Sequence, residues 1–246
     1  MTIVFVHGVP ETSVVWDVVR ERLDEESVAV QLPGFGSPRP AAMRDNHDYA
    51  EWLAERLRHV EGPIDLVAHD WGSHLALRVV SAYDLPIRSW ISDAGEAIHP
   101  DYTWHEGAQV IQSPDGAKFL EGLRKPHGSF EQFLVPRGID AEVMAVIDEV
   151  ADKTMTDTMY DLYRDATPNL YHYRDWGPQF AAAAAVPGLV VAPEDDPYGS
   201  LRLSRETAER LSAELVVLPG KSHYWMHQDP DAAVELMRKF WSRLDH

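Results

Sequence analysis

A chain of 246 residues with 45% hydrophobic content is long enough to bury a full core, in one large α/β domain or two small ones. The absence of cysteine excludes disulfides, thiolate metal sites and a cysteine nucleophile, and is compatible with a reducing interior. A formal charge of -18 argues against a nucleic-acid partner, whose phosphates need clustered Lys and Arg, and solubility is the simplest use of the acidity.

Residues 2–6 are a β-branched and aromatic run ending in His7-Gly8-Val9-Pro10, the pattern of a buried strand feeding a loop. Thr12 and Ser13 offer caps for a helix carrying Val15, Trp16, Val19 and Leu23. A second strand is expected over 27–32, and a helix over 47–60 with Tyr49, Trp52, Leu53, Leu57 and Val60 on one face. A third strand over 64–68 runs directly into Asp70, and helix resumes from 71 to about 83. A fourth strand covers 87–91. Between 97 and 180 the sequence is aromatic-rich and helical in period, with no convincing strand. Strands over 188–192 and 214–218, a helix near 201–211 and a last helix over 231–244 complete the chain. Alternating strands and helices imply a mostly parallel sheet flanked by helices, with ligands beyond the carboxyl ends of its strands. The expected organisation is a core of residues 1–96 and 181–246 with a helical cap, 97–180, inserted after the fourth strand. No apolar run approaches the ~20 residues of a membrane span, and the N-terminus lacks the pattern of a secretory signal. A cytoplasmic protein without a membrane partner is expected, as monomer or homodimer.

The chemistry concentrates in Ala68-His69-Asp70-Trp71-Gly72. Small residues two before and two after the central position suit a sharp strand-to-helix turn, but the residue at its apex is aspartate rather than serine. Alone, such an aspartate would cap the following helix. At the apex, an ionised carboxylate is already anionic and can displace a leaving group from saturated carbon, as in an epoxide or an alkyl halide. An acid-bearing loop, Glu194-Asp195-Asp196-Pro197-Tyr198, follows the next-to-last strand, and Ser222-His223 follows the last. Nucleophile, acid and histidine in that order mark one fold.

With these motifs and His-Gly-Val-Pro-Glu at 7–11, the chain resembles the α/β-hydrolase superfamily, specifically its aspartate-nucleophile branch of epoxide hydrolases and haloalkane dehalogenases. The leading strands usual in that fold are missing. The resemblance implies that Asp70 attacks carbon to form an ester, and that His223, oriented by an acid, activates water to hydrolyse it. Asp196 is preferred as that acid, with Asp195 and Asp93 as alternatives. The main-chain N–H groups of Val9 and Trp71 would hold the oxyanion. His7 and His69 are read as scaffold, and His227 as structural or solvent-facing. Twelve histidines show no convincing ligand motif, so neither metal nor other cofactor is expected.

The leaving group divides the branch. Epoxide hydrolases aim cap tyrosines at the ring oxygen, whereas halide ions accept weak donors such as indole N–H. Tyr173, in Tyr171-His172-Tyr173-Arg174, matches the tyrosine-arginine element late in the family's cap and is the expected proton donor. Trp71 occurs in both families, and Trp104 is the candidate second halide ligand. Trp104, Tyr102 and Tyr171 are taken as substrate-binding residues, although each alone would serve as lid packing. Glu11 after Pro10 resembles the epoxide hydrolase loop. The expected reaction is conversion of a small apolar epoxide and water to a vicinal diol, with haloalkane dehalogenation as the alternative; a ligand-binding or lyase-like protein on the same fold is the third.

Overall fold

A computed structural model describes residues 1–244. Six strands, β1 (Thr2–Val6), β2 (Ser27–Val30), β3 (Ile64–Ala68), β4 (Ile87–Ser92), β5 (Gly188–Pro193) and β6 (Glu214–Leu218), form one sheet in the order β2-β1-β3-β4-β5-β6. Every pairing is parallel. Helices cover both faces of such a sheet, which is why β1 and β3 are buried at every position and read as apolar runs rather than alternating ones.

Between the strands run α1 (Asp17–Arg20), α2 (Asn46–Arg58) and α3 (Trp71–Ala82). After β5 come α10 (Leu201–Arg210), α11 (Trp225–Gln228) and α12 (Pro230–Ser242). Between β4 and β5 lies a wholly helical insert: α4 (Glu106–Gln112), α5 (Gly116–Gly122), α6 (Glu131–Leu134), α7 (Ala141–Val150), α8 (Lys153–Asp165) and α9 (Trp176–Gln179), closed by a 3₁₀ segment at Phe180–Ala185. One continuous cluster of buried apolar side chains joins the insert to the sheet layers.

The region after β1 differs from its expected long helix. It forms a 3₁₀ turn, Ser13–Trp16, and then the single turn of α1. Thr12 makes no side-chain capping bond, while the Ser13 amide and hydroxyl both donate to Gln31 Oε1, at 3.0 and 2.9 Å. The second strand stops at Val30 instead of continuing to 32, because the Leu32 amide donates to His7 Nε2 at 3.0 Å rather than to a neighbouring strand.

The chain passes from β1 outward to β2 and then returns to place β3 on the other side of β1, so the sheet changes winding direction between β1 and β3. The register pairs Val6 with Ala68, leaving the two carboxyl ends level. The loop after β1 and the turn after β3 therefore face each other across the crevice where open α/β sheets take their ligands.

Candidate active site

Asp70 sits at φ 48° and ψ -121°, a conformation costing a non-glycine residue about 1–3 kcal/mol. Its surroundings explain the small residues. A Cβ on Gly72 would meet the carbonyl oxygens of Val6 and His7 at 2.6 Å, and one on Gly8 would collide with the Asp70 side chain. The turn is fixed by the Asp70 amide donating to Asp93 Oδ1 at 3.0 Å and the Ser73 amide to the Asp70 carbonyl at 3.0 Å. The Asp70 carboxylate does not cap α3. It instead accepts the Val9 N–H at 2.8 Å, and the Trp71 amide opens α3 immediately beyond it. Burial pushes the Asp70 carboxyl above its usual range, with the charge of His223 opposing.

The loops after β5 and β6 bring the other two groups to the same place. His223 Nδ1 pairs with Asp196 Oδ2 at 2.8 Å, and its Nε2 lies 3.8 Å from Asp70 Oδ2. Asp196 is in turn held by the Tyr198 amide at 2.9 Å. Burial alone would lower His223, but the Asp196 carboxylate with its hydrogen bond, and Asp70, together raise it above 6.5. Asp195, the first alternative, is exposed. Asp93, the second, is committed elsewhere.

Asp93 Oδ2 is 2.5 Å from His69 Nδ1 and also accepts the Trp225 indole N–H at 2.8 Å. On the other side His69 Nε2 forms an ion pair with Glu11 Oε1 at 3.1 Å, and Glu11 Oε2 accepts the Gly8 amide at 2.9 Å. Burial opposes the charge on His69, but Asp93 and Glu11 outweigh it and hold the imidazole well above its ordinary value. Burial likewise raises Glu11, yet the His69 charge brings its carboxyl down to about 2. Ligand atoms of Glu11, His69 and His223 lie within 4.8 Å of one another. With both His69 nitrogens turned to carboxylates, that cluster is an imidazolium between two anions rather than a neutral donor set for a metal. His7 binds only its surroundings, through the Leu32 amide and the Gly8 carbonyl, and burial lowers it to about 4. His227 is half-buried, with Nε2 at 2.9 Å from the Val15 carbonyl.

Above Asp70 and His223 opens a cavity of about 400 Å³, walled mainly by apolar side chains of the insert, including Ile111, Phe119, Leu123 and Phe130. Tyr163, Tyr198 and His105 also line it. His105 Nδ1 accepts the Ala108 amide at 3.2 Å and burial lowers the ring to about 4, so the neutral ring carries its proton on Nε2. Burial pushes the Tyr163 hydroxyl far up and that of Tyr198 to about 12, keeping both protonated. The Tyr198 ring stands edge-on to His223 with centroids 4.9 Å apart.

The structure does not bring Tyr173 and Tyr171 to this cavity. Tyr173 packs edge-on against Trp176 and faces Asp165 and Asp45, and the next residue, Arg174, is fastened to Asp45 at 2.7 Å. This pins the tyrosine-arginine element to the start of α2. Tyr171 lines a separate cleft with Arg210 and Pro178. The two tryptophans stack on each other, centroids 5.3 Å apart and 9° from parallel, but neither indole N–H is free. Trp71 Nε1 donates to Asn46 Oδ1 and Trp104 Nε1 to the Ala166 carbonyl, both at 3.0 Å. Tyr102 reaches the site, and its hydroxyl donates to the Tyr198 carbonyl at 3.4 Å.

Beneath the main cavity is a void of about 20 Å³, bordered by Asp70, His74, Glu96, Asp196 and His223. It has room for one water. Burial lowers His74 to about 4, with the Ala94 carbonyl favouring a ring N–H, and neither nitrogen has a partner in good hydrogen-bond geometry. Burial raises Glu96 to about 8, so it is neutral at pH 7 while accepting the Ser204 hydroxyl at 3.1 Å.

The fold that carries this arrangement is matched by comparison with known proteins. Residues 3–236 match the model of the Alpha/beta hydrolase family. The chain belongs to that family. No curated protein matches it in sequence. Among solved structures, this hydrolase is similar to the M145A mutant of an epoxide hydrolase from Bacillus megaterium (TM-score 0.79, 16% identity, covering 98% of this chain and 93% of that one). It is similar also to a loop variant of the haloalkane dehalogenase DbeA from Bradyrhizobium elkanii (0.77, 18%, 99% and 90%) and to the Cif epoxide hydrolase from Acinetobacter nosocomialis (0.76, 16%, 98% and 82%). Among the described residues of this hydrolase no helix is long and apolar enough to cross a membrane.

Sequence reasoning missed His74, Glu96, His105, Tyr163 and Tyr198 as residues lining the candidate site. His74 had a usable signal, since it follows Asp70 by four residues on one helical face. Tyr198 lies two residues after Asp196, in the motif used to choose that acid. Tyr163 had none, because Met155, Met159 and Leu162 share its buried side of α8 and an aromatic there reads as core.

Proposed function

We propose that this hydrolase opens epoxides to vicinal diols through an ester on Asp70. The observation that carries the reading is the division of donors around the cavity. Both indole N–H groups that would cradle a halide are spent on Asn46 and Ala166, whereas two protonated tyrosines and the His105 N–H line the space above Asp70. A departing alkoxide needs a proton, and a halide does not.

In the first step an Asp70 oxygen attacks an oxirane carbon, the carbon–oxygen bond breaks, and the alkoxide takes a proton from Tyr163 or Tyr198. An alkoxide is more basic than a phenolate, so the transfer runs downhill even from a phenol with a raised pKa. In the second step His223 takes a proton from water, hydroxide adds to the Asp70 carboxyl carbon, and the adduct collapses as its new hydroxyl passes its proton to the leaving alkoxide, releasing the diol and restoring the Asp70 carboxylate. The proton on His223 then returns to the phenolate. The Val9 N–H, already on Asp70 Oδ1, and the Trp71 N–H would receive the oxyanion. The void beside His74 and Glu96 would seat the water, and the helical insert would act as the cap that keeps bulk solvent out. No cofactor enters these steps.

A panel of epoxides and haloalkanes, with Asp70→Asn as control, tests the reaction class: diol formation is expected, and halide release with epoxides untouched would replace this reading by dehalogenation. Turnover in heavy-oxygen water is expected to leave label in the Asp70 carboxylate. Unlabelled Asp70 after several turnovers would remove the ester mechanism.

A further inference from the structure

The apolar cavity holds one permanent cation. Arg137 ends the short 3₁₀ segment Val135–Arg137 and lines the cavity together with Asp70, Tyr198 and His223. Its guanidinium carbon lies 5.0 Å from the centre of the Tyr198 ring, which also packs against His105 and His223, so the charge stands one aromatic ring from the reacting groups. Nη1 donates to the Phe133 carbonyl, and the Tyr224 amide donates to Arg137's own carbonyl at 3.0 Å, fixing the residue from two directions.

What is left over is specific. Nε is buried without a hydrogen-bond partner, and Arg137 takes part in no ion pair among the described residues. Scarcity of carboxylates is not the reason, because the chain has 40 acidic against 22 basic residues. Arg39 and Arg174, which also meet the insert, are paired, to Asp161 and Asp45, each at 2.7 Å. Glu106, at the same cavity, leaves Arg137 alone. The Nη end is the part solvent reaches, and the planar N–H groups of a guanidinium can grip a carboxylate through two parallel hydrogen bonds. Arg137 is half-buried, and a cation at the wall of an apolar cavity with no counter-charge favours an anionic ligand there.

We propose that Arg137 is a specificity determinant that binds the carboxylate of an otherwise apolar substrate, so that the favoured compounds are epoxides of carboxylic acids with the acid group about one ring's width from the oxirane. The substrate class rests on the epoxide reading, but the binding of a carboxylate does not. The apolar remainder of the ligand lies among Phe119, Leu123 and Phe130.

The test is calorimetric titration of the full chain with decanoate and with decanamide, unreactive compounds of nearly equal shape. Decanoate is expected to bind at least about tenfold more tightly, as charged bidentate hydrogen bonds predict. Arg137→Gln should bring the two within about twofold. Arg137→Lys, which keeps the charge and the fold but not the fork, should retain only part of the preference, and it carries the test if Arg137→Gln does not fold. Equal affinities in the parent chain, or a preference for decanoate that survives these changes undiminished, would overturn the proposal. A parallel assay with an epoxy acid and its methyl ester separates the two readings: no diol from either removes the epoxide reading and leaves the titration result standing.

Discussion

Two histidines with carboxylates on both sides lie against each other, ring centroids 4.5 Å apart and planes 48° apart, and they are put to opposite uses. His69, fully buried, lies between Asp93 and Glu11 with both nitrogens taken. His223 has one nitrogen on Asp196 and turns the other toward Asp70 and the cavity. The residue types and the upward pKa shifts are alike. The difference is that His69 faces nothing that can arrive or leave, so its charge is structural, whereas His223 keeps one nitrogen in reach of a substrate. Unpaired capacity, rather than residue identity, marks the working group.

Substitutions at these positions separate the two roles. The largest expected effect is on activity at Asp70, where Asp70→Ala should lower kcat by at least about four orders of magnitude with little change in melting temperature. His223→Gln should stop the reaction half-way, so that intact mass spectrometry of enzyme mixed with an epoxide finds one adduct per chain; an unmodified mass would mean that His223 acts before the ester. His69→Gln should invert the pattern. It leaves two buried carboxylates facing no charge and should cost about 3–5 kcal/mol of stability, lowering the melting temperature by roughly 10 °C.

The pH dependences should also part. The raised pKa of His69 gives stability that is complete below about 6.5, its unfolded value, and is lost as pH rises through the higher folded value. Melting temperature should therefore decline on the alkaline side in the parent chain, and this slope should flatten in His69→Gln. His223 must be neutral to take a proton from water, so ester hydrolysis should fall away on the acid side through a pKa above 6.5, and Asp196→Asn should move that limb lower. Stopped-flow turnover against pH reads it. The smallest effects concern the proton donors: Tyr163→Phe and Tyr198→Phe should each slow formation of the ester by about ten- to a hundredfold, while Tyr173→Phe should stay within about twofold of the parent.

The core side of the site was open to sequence reading because backbone geometry restricts it. A turn at positive φ packed against two strand ends tolerates few side chains around Asp70, and the limits of β3 and β6 coincide with the expected 64–68 and 214–218. The insert side was not, because its aromatic residues satisfy the same burial pattern whether they point at a ligand or at each other. Tyr173 was chosen by its neighbour Arg174, but that arginine pairs with Asp45 and draws the element away. Tyr163, lacking any such marker, is the tyrosine that lies over Trp71, with ring centroids 4.3 Å apart. His69 and His223 posed a milder form of the problem: the place of His223 after the last strand set it apart and left His69 as scaffold, but only the structure shows Glu11 and Asp93 on either side of His69.

The stack of Trp71 on Trp104 has a mechanical consequence. Trp71 is joined by a peptide bond to Asp70 and tied through Asn46 to the Leu162 carbonyl, while Trp104 is tied to Ala166, so the seam between sheet and insert is stitched beside Asp70 itself. Separating the insert from the sheet would therefore load the residue adjoining Asp70, on a turn already held at φ 48°.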